Sequence, residues 1–242
     1  GAILSNQKIQ AYNNDSTAIV FDMSSVFLGD NKKMSPFDKN SIYGMYNRTE
    51  NYQSDCSYIS QIKAFKDNVS IKSCLSYTFS VSNSQGTSLI KDRPFTAEMT
   101  RSIMLLKEKH YRPRMADYRI GVFFTGREQL GEGAKTTAPV YYANRWDIQP
   151  SDTAAYLRGE KVKPTKQIVF YIDNTFPEKW KPYLREGVTQ WNELFEQIGF
   201  KDVVAAKDFP TDDPEFDPDN IKYSCVRYAP SSIENAMGPS WV

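Results

Sequence analysis

The chain has 242 residues, 40% hydrophobic and 14% aromatic, enough for one large or two ordinary domains with sizeable cores. A formal net charge of +1 removes any whole-chain electrostatic argument for a nucleic-acid or membrane-surface partner. No apolar run is long enough to span a bilayer, so no membrane span is expected.

The chain starts without a signal peptide. Gly1 reads as a cloning remnant before a native start near Ala2, so an export signal is expected to have been removed. Residues 15–148 then read as strands and turns, beginning with a strand over Thr17–Met23 and the turn-rich "GDNKKMSPFDKN". "SYISQIKAFKDNVSIKSCLSYTFSV" (57–81) predicts a hairpin turning at Asp67-Asn68. With Lys66 opposite Val69, Ala64 faces Ile71, Ser60 faces Leu75 and Tyr58 faces Tyr77. That register gathers Tyr58, Ile62, Ala64, Ile71, Leu75, Tyr77 and Phe79 on one face. It also sets Cys74 opposite Gln61 and places Cys56 near Phe79, roughly 16 Å from Cys74 along the strand. A bridge cannot reach that far, so the three cysteines, Cys225 included, are expected as free thiols.

After "VSNSQGTSLIKDRP", read as a turn segment, strands are expected over Ala97–Leu106, Arg119–Phe124 and Val140–Trp146. "HYRPRMADYRIGVFF" clusters Arg112, Arg114 and Arg119 around Asp117. Arginine forks bind carboxylates in a bidentate way, so a carboxylate-substrate or interdomain clamp is one reading. A structural ion-pair knot that orders the loop is the favoured one. His110 is the only histidine and has no partner pattern, so it reads as structural or solvated. "GREQLGEGAK" has neither phosphate-loop spacing and reads as a turn.

The architecture changes after "IQPSDTAAYLRGEKVKPTKQ", a polar connector with a short helix over Asp152–Arg158 started by Ser151. Ile168–Ile172 is a continuously apolar strand. Thr175 and Glu178 fit a capping box, with Pro177 and Pro182 suited to a first helical turn. Trp180, Leu184, Val188, Trp191, Phe195 and Ile198 make one apolar stripe, ended by Gly199. Strands follow at Asp202–Ala206 and Ile221–Tyr228, with the strand–helix–strand crossover predicting a parallel pair. Between them, "DFPTDDPEFDPDN" lacks the glycine and terminal glutamate of an EF-hand loop and reads as a solvated acidic loop. The reading is thus two domains, a β-rich one at 2–150 and a second at 167–242, joined by a connector at 151–166.

Four stretches, "YRPRMADYRIGVFF", "YYANRW", "KPTKQIVFYIDNTFPEKWKPYLREGVTQWNELFEQIGF" and "DDPEFDPDNIKYSCVRYAPSSIENAMGPSWV", resemble one family in order and spacing. That family is the large, exported bacterial zinc-dependent metalloproteases with a metzincin-like catalytic domain. A β-rich domain of unknown function precedes the catalytic domain in it. The resemblance implies an α+β fold: an antiparallel β-rich N-terminal domain, then the first strand–helix–strand–strand part of a metzincin-like α/β subdomain. It implies that Gly238, Pro239, Ser240 and Trp241 approach the edge of the substrate cleft. It also places the zinc helix, with its His-Glu-x-x-His pattern, tens of residues after Val242.

No catalytic or metal-ligating residue can therefore be carried onto this chain. It is expected to bind no cofactor and to be inactive, with zinc in the full-length parent. Implied partners are the rest of the protease domain and the parent's protein or peptide substrate, and the implied location is extracytoplasmic. Two further features read as truncation. A three-stranded sheet with one covering helix leaves an open edge, which the β domain covers or which self-association fills. The tail "AMGPSWV" closes no fold. A stand-alone glycan- or peptide-binding module is the alternative. It would use Tyr43, Tyr46 and Tyr52, although packing over the sheet edge is the favoured role for them.

Overall fold

The computed structural model describes residues 5–30, 34–37, 46–105, 111–130, 137–230 and 238. The chain forms two compact units, Gly1–Leu105 with Asp219–Ile221, and Leu106–Pro218 with Lys222–Val242. The architecture is mixed and β-rich, with mostly antiparallel sheets and few, short helices.

The first unit opens with β1 (Ile9–Tyr12) and β2 (Ile19–Phe21), an antiparallel pair. Their turn is held by Asn13, whose side-chain oxygen accepts from Ala18 N at 2.8 Å. A single helical turn, α1 (Ser24–Phe27), follows. Three long strands then form one antiparallel sheet in the order β3 (Tyr46–Ala64), β4 (Asn68–Asn83), β5 (Ser88–Met104). Alternation along β4 gives the core: Ile71, Ser73, Leu75 and Tyr77 are buried, with the residues between them only partly so. Val26 and Phe27 of α1 pack on Ile71. Arg101 fastens that cover, donating to Phe27 O at 3.3 Å and Met34 O at 2.7 Å. Phe37 meets Tyr77 edge-on at 4.9 Å between ring centroids.

The β3–β4 hairpin exists, but its turn lies one residue earlier than expected. Ala64 pairs with Val69, Ile62 with Ile71 and Tyr58 with Cys74. The cause is Asn68, which is 3% exposed and begins β4 instead of sitting in the turn. Its side chain donates to Ser102 Oγ at 2.9 Å and Asp219 O at 3.0 Å, and accepts from Ile221 N at 3.2 Å. Lys63 pairs with Asp219 at 2.7 Å. Irregularities between Gln53 and Tyr58, and between Ile59 and Gln61, shift the register again. Tyr58 thus leaves the Leu75 face, and Tyr52 takes the place opposite Tyr77. Ser76 Oγ donates to Cys56 O at 2.9 Å, so Cys56 lies beside Ser76 and not near Phe79. None of the three cysteines is in a disulfide.

The "VSNSQGTSLIKDRP" segment is mostly strand. Its turn is confined to Ser84–Thr87, where Asn83 Oδ1 accepts from Gln85 N and Thr87 N, and Gly86 takes φ +84°.

In the second unit, β6 (Phe124–Gln129) pairs antiparallel with β7 (Ala138–Ala143). The strand expected at Arg119–Phe124 begins only at Phe124, because Asp117–Ile120 is a turn closed by Ile120 N to Asp117 O. Helix α2 (Thr153–Leu157) is capped by Asp152, which accepts from Ala155 N, and not by Ser151. Strand β8 (Ile168–Ile172) is central, parallel to β9 (Val204–Asp208) on one side and β10 (Ser224–Val226) on the other. The parallel pairing agrees with the crossover expected from the sequence.

The crossover contains two helices, α3 (Lys181–Thr189) and α4 (Asn192–Gln197), with a break at Gln190-Trp191. No capping box forms: Thr175 turns back to Asp173, and α3 starts after Trp180 without a side-chain cap. Val188 and Phe195 pack against the core of Ala155, Val162, Ile168, Phe200, Val203 and Val204. Trp191 and Ile198, expected on the same stripe, are exposed. Gly199 ends α4 at φ +87°, and a Cβ there would meet the Tyr156 ring at 2.9 Å. Among the described residues, no helix is long and apolar enough to cross a membrane.

Candidate functional site

The arginine-rich segment resolves into two separate contacts. Asp117 and Arg119 form a local fork, with Arg119 Nε at 2.9 Å from Oδ1 and Nη2 at 2.5 Å from Oδ2. The hydrogen bonds from the Arg119 side chain and backbone hold the Asp117 carboxyl below its usual range. Arg112 and Arg114 act through their backbone carbonyls. Arg145 donates to Arg112 O at 2.7 Å, and Ala143 N to Arg114 O at 2.8 Å. Arg145 also lies over the Tyr111 ring at 4.4 Å. The four residues therefore do not converge on one carboxylate, and the cation beside the aromatic ring is Arg145. His110 lies outside the described residues.

The carboxyl ends of β8 and β10 carry an organised polar group, centred on Asp173. Asp173 is buried, and its Oδ1 accepts from Thr175 N at 2.9 Å and Thr175 Oγ at 2.8 Å. Tyr228 N approaches Oδ2 at 3.4 Å, and Asp173 N donates to Val226 O at 3.0 Å. Burial opposes the Asp173 charge, yet the bonds from Thr175 and Tyr228, with Arg227 nearby, hold its carboxyl below the usual range. Around it, Tyr228 packs on Phe176 at 5.1 Å and on Trp180 at 6.1 Å. Both Asp173 oxygens are committed to backbone or hydroxyl donors, so this carboxylate positions the loop after β8.

This arrangement sets a pH dependence. A carboxylate with a depressed folded pKa stabilises the fold above the unfolded carboxylate range, and that contribution is lost as pH falls through the folded pKa. Asp173→Asn is therefore expected to lower stability at about pH 7 and to narrow its gap from the parent chain at about pH 3. Urea unfolding at the two pH values checks this. A gap that stays constant would remove the charge from the account.

The acidic loop is tied down mainly by aromatics. Phe216 packs on Tyr171, Phe209 and Tyr223 at 5.1, 4.9 and 4.7 Å. Its carboxylates are dispersed: Asp208 pairs with Arg185, Asp213 caps Glu215 N, and Asp219 pairs with Lys63. Among the described residues, no three His, Cys, Asp or Glu side chains are grouped to hold a metal. Gly238 has open space where a Cβ would be, while Pro239, Ser240 and Trp241 lie outside the described residues.

Tyr52 packs on Tyr77 at 5.4 Å and donates to Leu28 O, which gives it an internal role. Tyr46 is exposed and Tyr43 lies outside the described residues. The residues missed from sequence are the side chains that replace backbone partners, the buried Asn68 and Asp173 and the half-buried Asn192. The "IDNT" and "KDN" turn signals pointed near the first two.

Comparison with curated proteins and with solved structures gave no match. The model of one family, described as a domain of unknown function (DUF5117), matches residues 1–151, more than half of the chain. The chain belongs to this family of uncharacterised domains.

Proposed function

We propose that the chain is a non-catalytic part of an exported zinc-dependent metalloendopeptidase. Its accessory domain, 2–150, supports or shapes the protease. Residues 167–242, after a connector at 151–166, begin a metzincin-like α/β subdomain. The observation that carries this reading is the parallel β10-β8-β9 sheet with its helical crossover. It is built from the stretch whose motifs resemble that family most specifically. The location is extracytoplasmic, and the partners are the remaining protease domain and the parent's protein or peptide substrate. Zinc belongs to the parent, held by a downstream helix. The alternative of a glycan-binding module loses support because Tyr52, one of its three aromatics, is engaged internally.

Incubating the chain with denatured casein and added zinc tests the inactive-part reading. No cleavage above a zinc-only control is expected. Zinc-dependent cleavage that copurifies with the chain would place catalytic residues inside it and overturn the proposal.

A further inference from the structure

The register read from sequence separated Cys56 from Cys74, and the observed register brings them together. Leu75 is fully buried, so alternation along β4 turns Cys74 and Ser76 to the other face of the sheet. On that face Ser76 Oγ meets Thr96 Oγ1 at 3.1 Å and donates to Cys56 O at 2.9 Å. The Cys56 peptide therefore lies over the face to which Cys74 points. Tyr58, two residues after Cys56, pairs directly with Cys74. A hydrogen bond between the Tyr58 hydroxyl and Cys74 pushes the Tyr58 pKa up, so the Cys74 side chain is turned toward β3, the strand that carries Cys56. Cys56 is exposed and Cys74 half-buried, so both can be reached.

The backbone at Cys56 is free of the ladder. Gln53 pairs with Ser76 and Tyr58 with Cys74, so Ser54–Ser57 stand against Leu75 alone. In an unbroken ladder Cys56 would be the diagonal neighbour of Cys74, with Cα atoms about 7–8 Å apart, just outside bridging range. Here hydroxyl groups hold the bulge. Ser76 Oγ bonds Cys56 O, and Ser57 Oγ donates to Gln53 O at 2.7 Å and accepts from Ser76 N at 3.0 Å. A small shift of Cys56 therefore breaks no strand pairing.

We propose that Cys56 and Cys74 form a disulfide site that locks the bulge of edge strand β3 onto β4 under oxidising conditions. The oxidant is a small disulfide such as oxidised glutathione. The exposed Cys56 thiolate attacks one of its sulfurs, forming a mixed disulfide and expelling a glutathione thiolate. The Cys74 thiolate then attacks the Cys56 sulfur and expels the second glutathione. Two protein thiols lose two electrons, the oxidised glutathione gains them, and the two thiol protons end on the released glutathione. This inference rests on the first unit alone and does not depend on the peptidase reading.

To test it, the folded full chain is equilibrated with oxidised glutathione, quenched in acid, then unfolded, alkylated and read by intact mass and peptide mapping. A linked Cys56–Cys74 peptide pair is expected, with Cys225 outside the link and the circular dichroism of the reduced chain retained. Cys56→Ser and Cys74→Ser should each lose the link, while Cys225→Ser should keep it. Three alkylated cysteines, glutathione left on Cys56 in the parent chain, or a link to Cys225 would overturn the proposal. So would a Cys56–Cys74 link that forms only in urea or with loss of the folded spectrum, because the native bulge would then hold the thiols apart.

Discussion

Leu75→Ala is expected to destabilise the first unit by about 2–5 kcal/mol, the range for removing a fully buried leucine side chain without collapse of the cavity. Leu75 is 0% exposed at the middle of the central strand β4, so no neighbour can close the space from solvent. Ile62→Ala supplies the contrast. The expected hairpin register placed both residues on the core face, but Ile62 is 62% exposed on edge strand β3. Its truncation should cost less than about 1 kcal/mol. Urea unfolding of the two variants measures both. Comparable losses would mean that the hairpin buries β3 as deeply as β4, contrary to the structure.

Asn192→Ala is expected to cost the second unit about 2–4 kcal/mol, because it strands several polar groups at once. The Asn192 amide stands in for a neighbouring strand at the start of β9. Its Oδ1 accepts from Val203 N and Val204 N, each at 2.9 Å, and its Nδ2 donates to Val204 O at 2.9 Å. Val203 is 0% exposed, so water cannot take over its N–H. Asn192→Asp keeps both acceptor bonds and loses the donor, so an intermediate loss is expected. Tryptophan fluorescence during denaturation gives the ranking, and faster hydrogen exchange at Val203 and Val204 would locate it. An alanine variant as stable as its parent would show that the three bonds are replaceable.

Legibility from sequence followed the range of the interaction that decides each feature. The apolar run of β8 is a local pattern and formed at its expected bounds, and the alternation in the second arm of the expected hairpin is local too, that arm being β4. Gly199 ended its helix because a positive φ is itself a local demand. The hairpin register was not legible. It depends on Asn68 bonding to Ser102 and to residues 219–221, more than 150 positions away for the latter. The helix start was misplaced for a related reason. Thr175 and Glu178 have capping-box spacing, but Asp173 claims the Thr175 hydroxyl and N–H first. The single apolar stripe was legible only in part. Periodicity identified an apolar helix surface, yet it could not divide that surface between Phe195, which meets the core, and Trp191, which faces solvent. In the arginine-rich segment, residue types suggested a shared carboxylate. The turn at Asp117–Ile120 instead gave that carboxylate to Arg119 alone, and the carbonyls of Arg112 and Arg114 serve the 143–145 stretch.

The proposal that this chain is a non-catalytic part of a zinc endopeptidase puts the zinc-binding helix outside it. The most direct measurement is to read the coding sequence beyond the codon for Val242. A helix-compatible His-Glu-x-x-His pattern is expected within roughly two hundred residues, the spacing that sets two histidines on one helical face toward zinc. A stop codon there, or a long downstream sequence without that pattern, would contradict it.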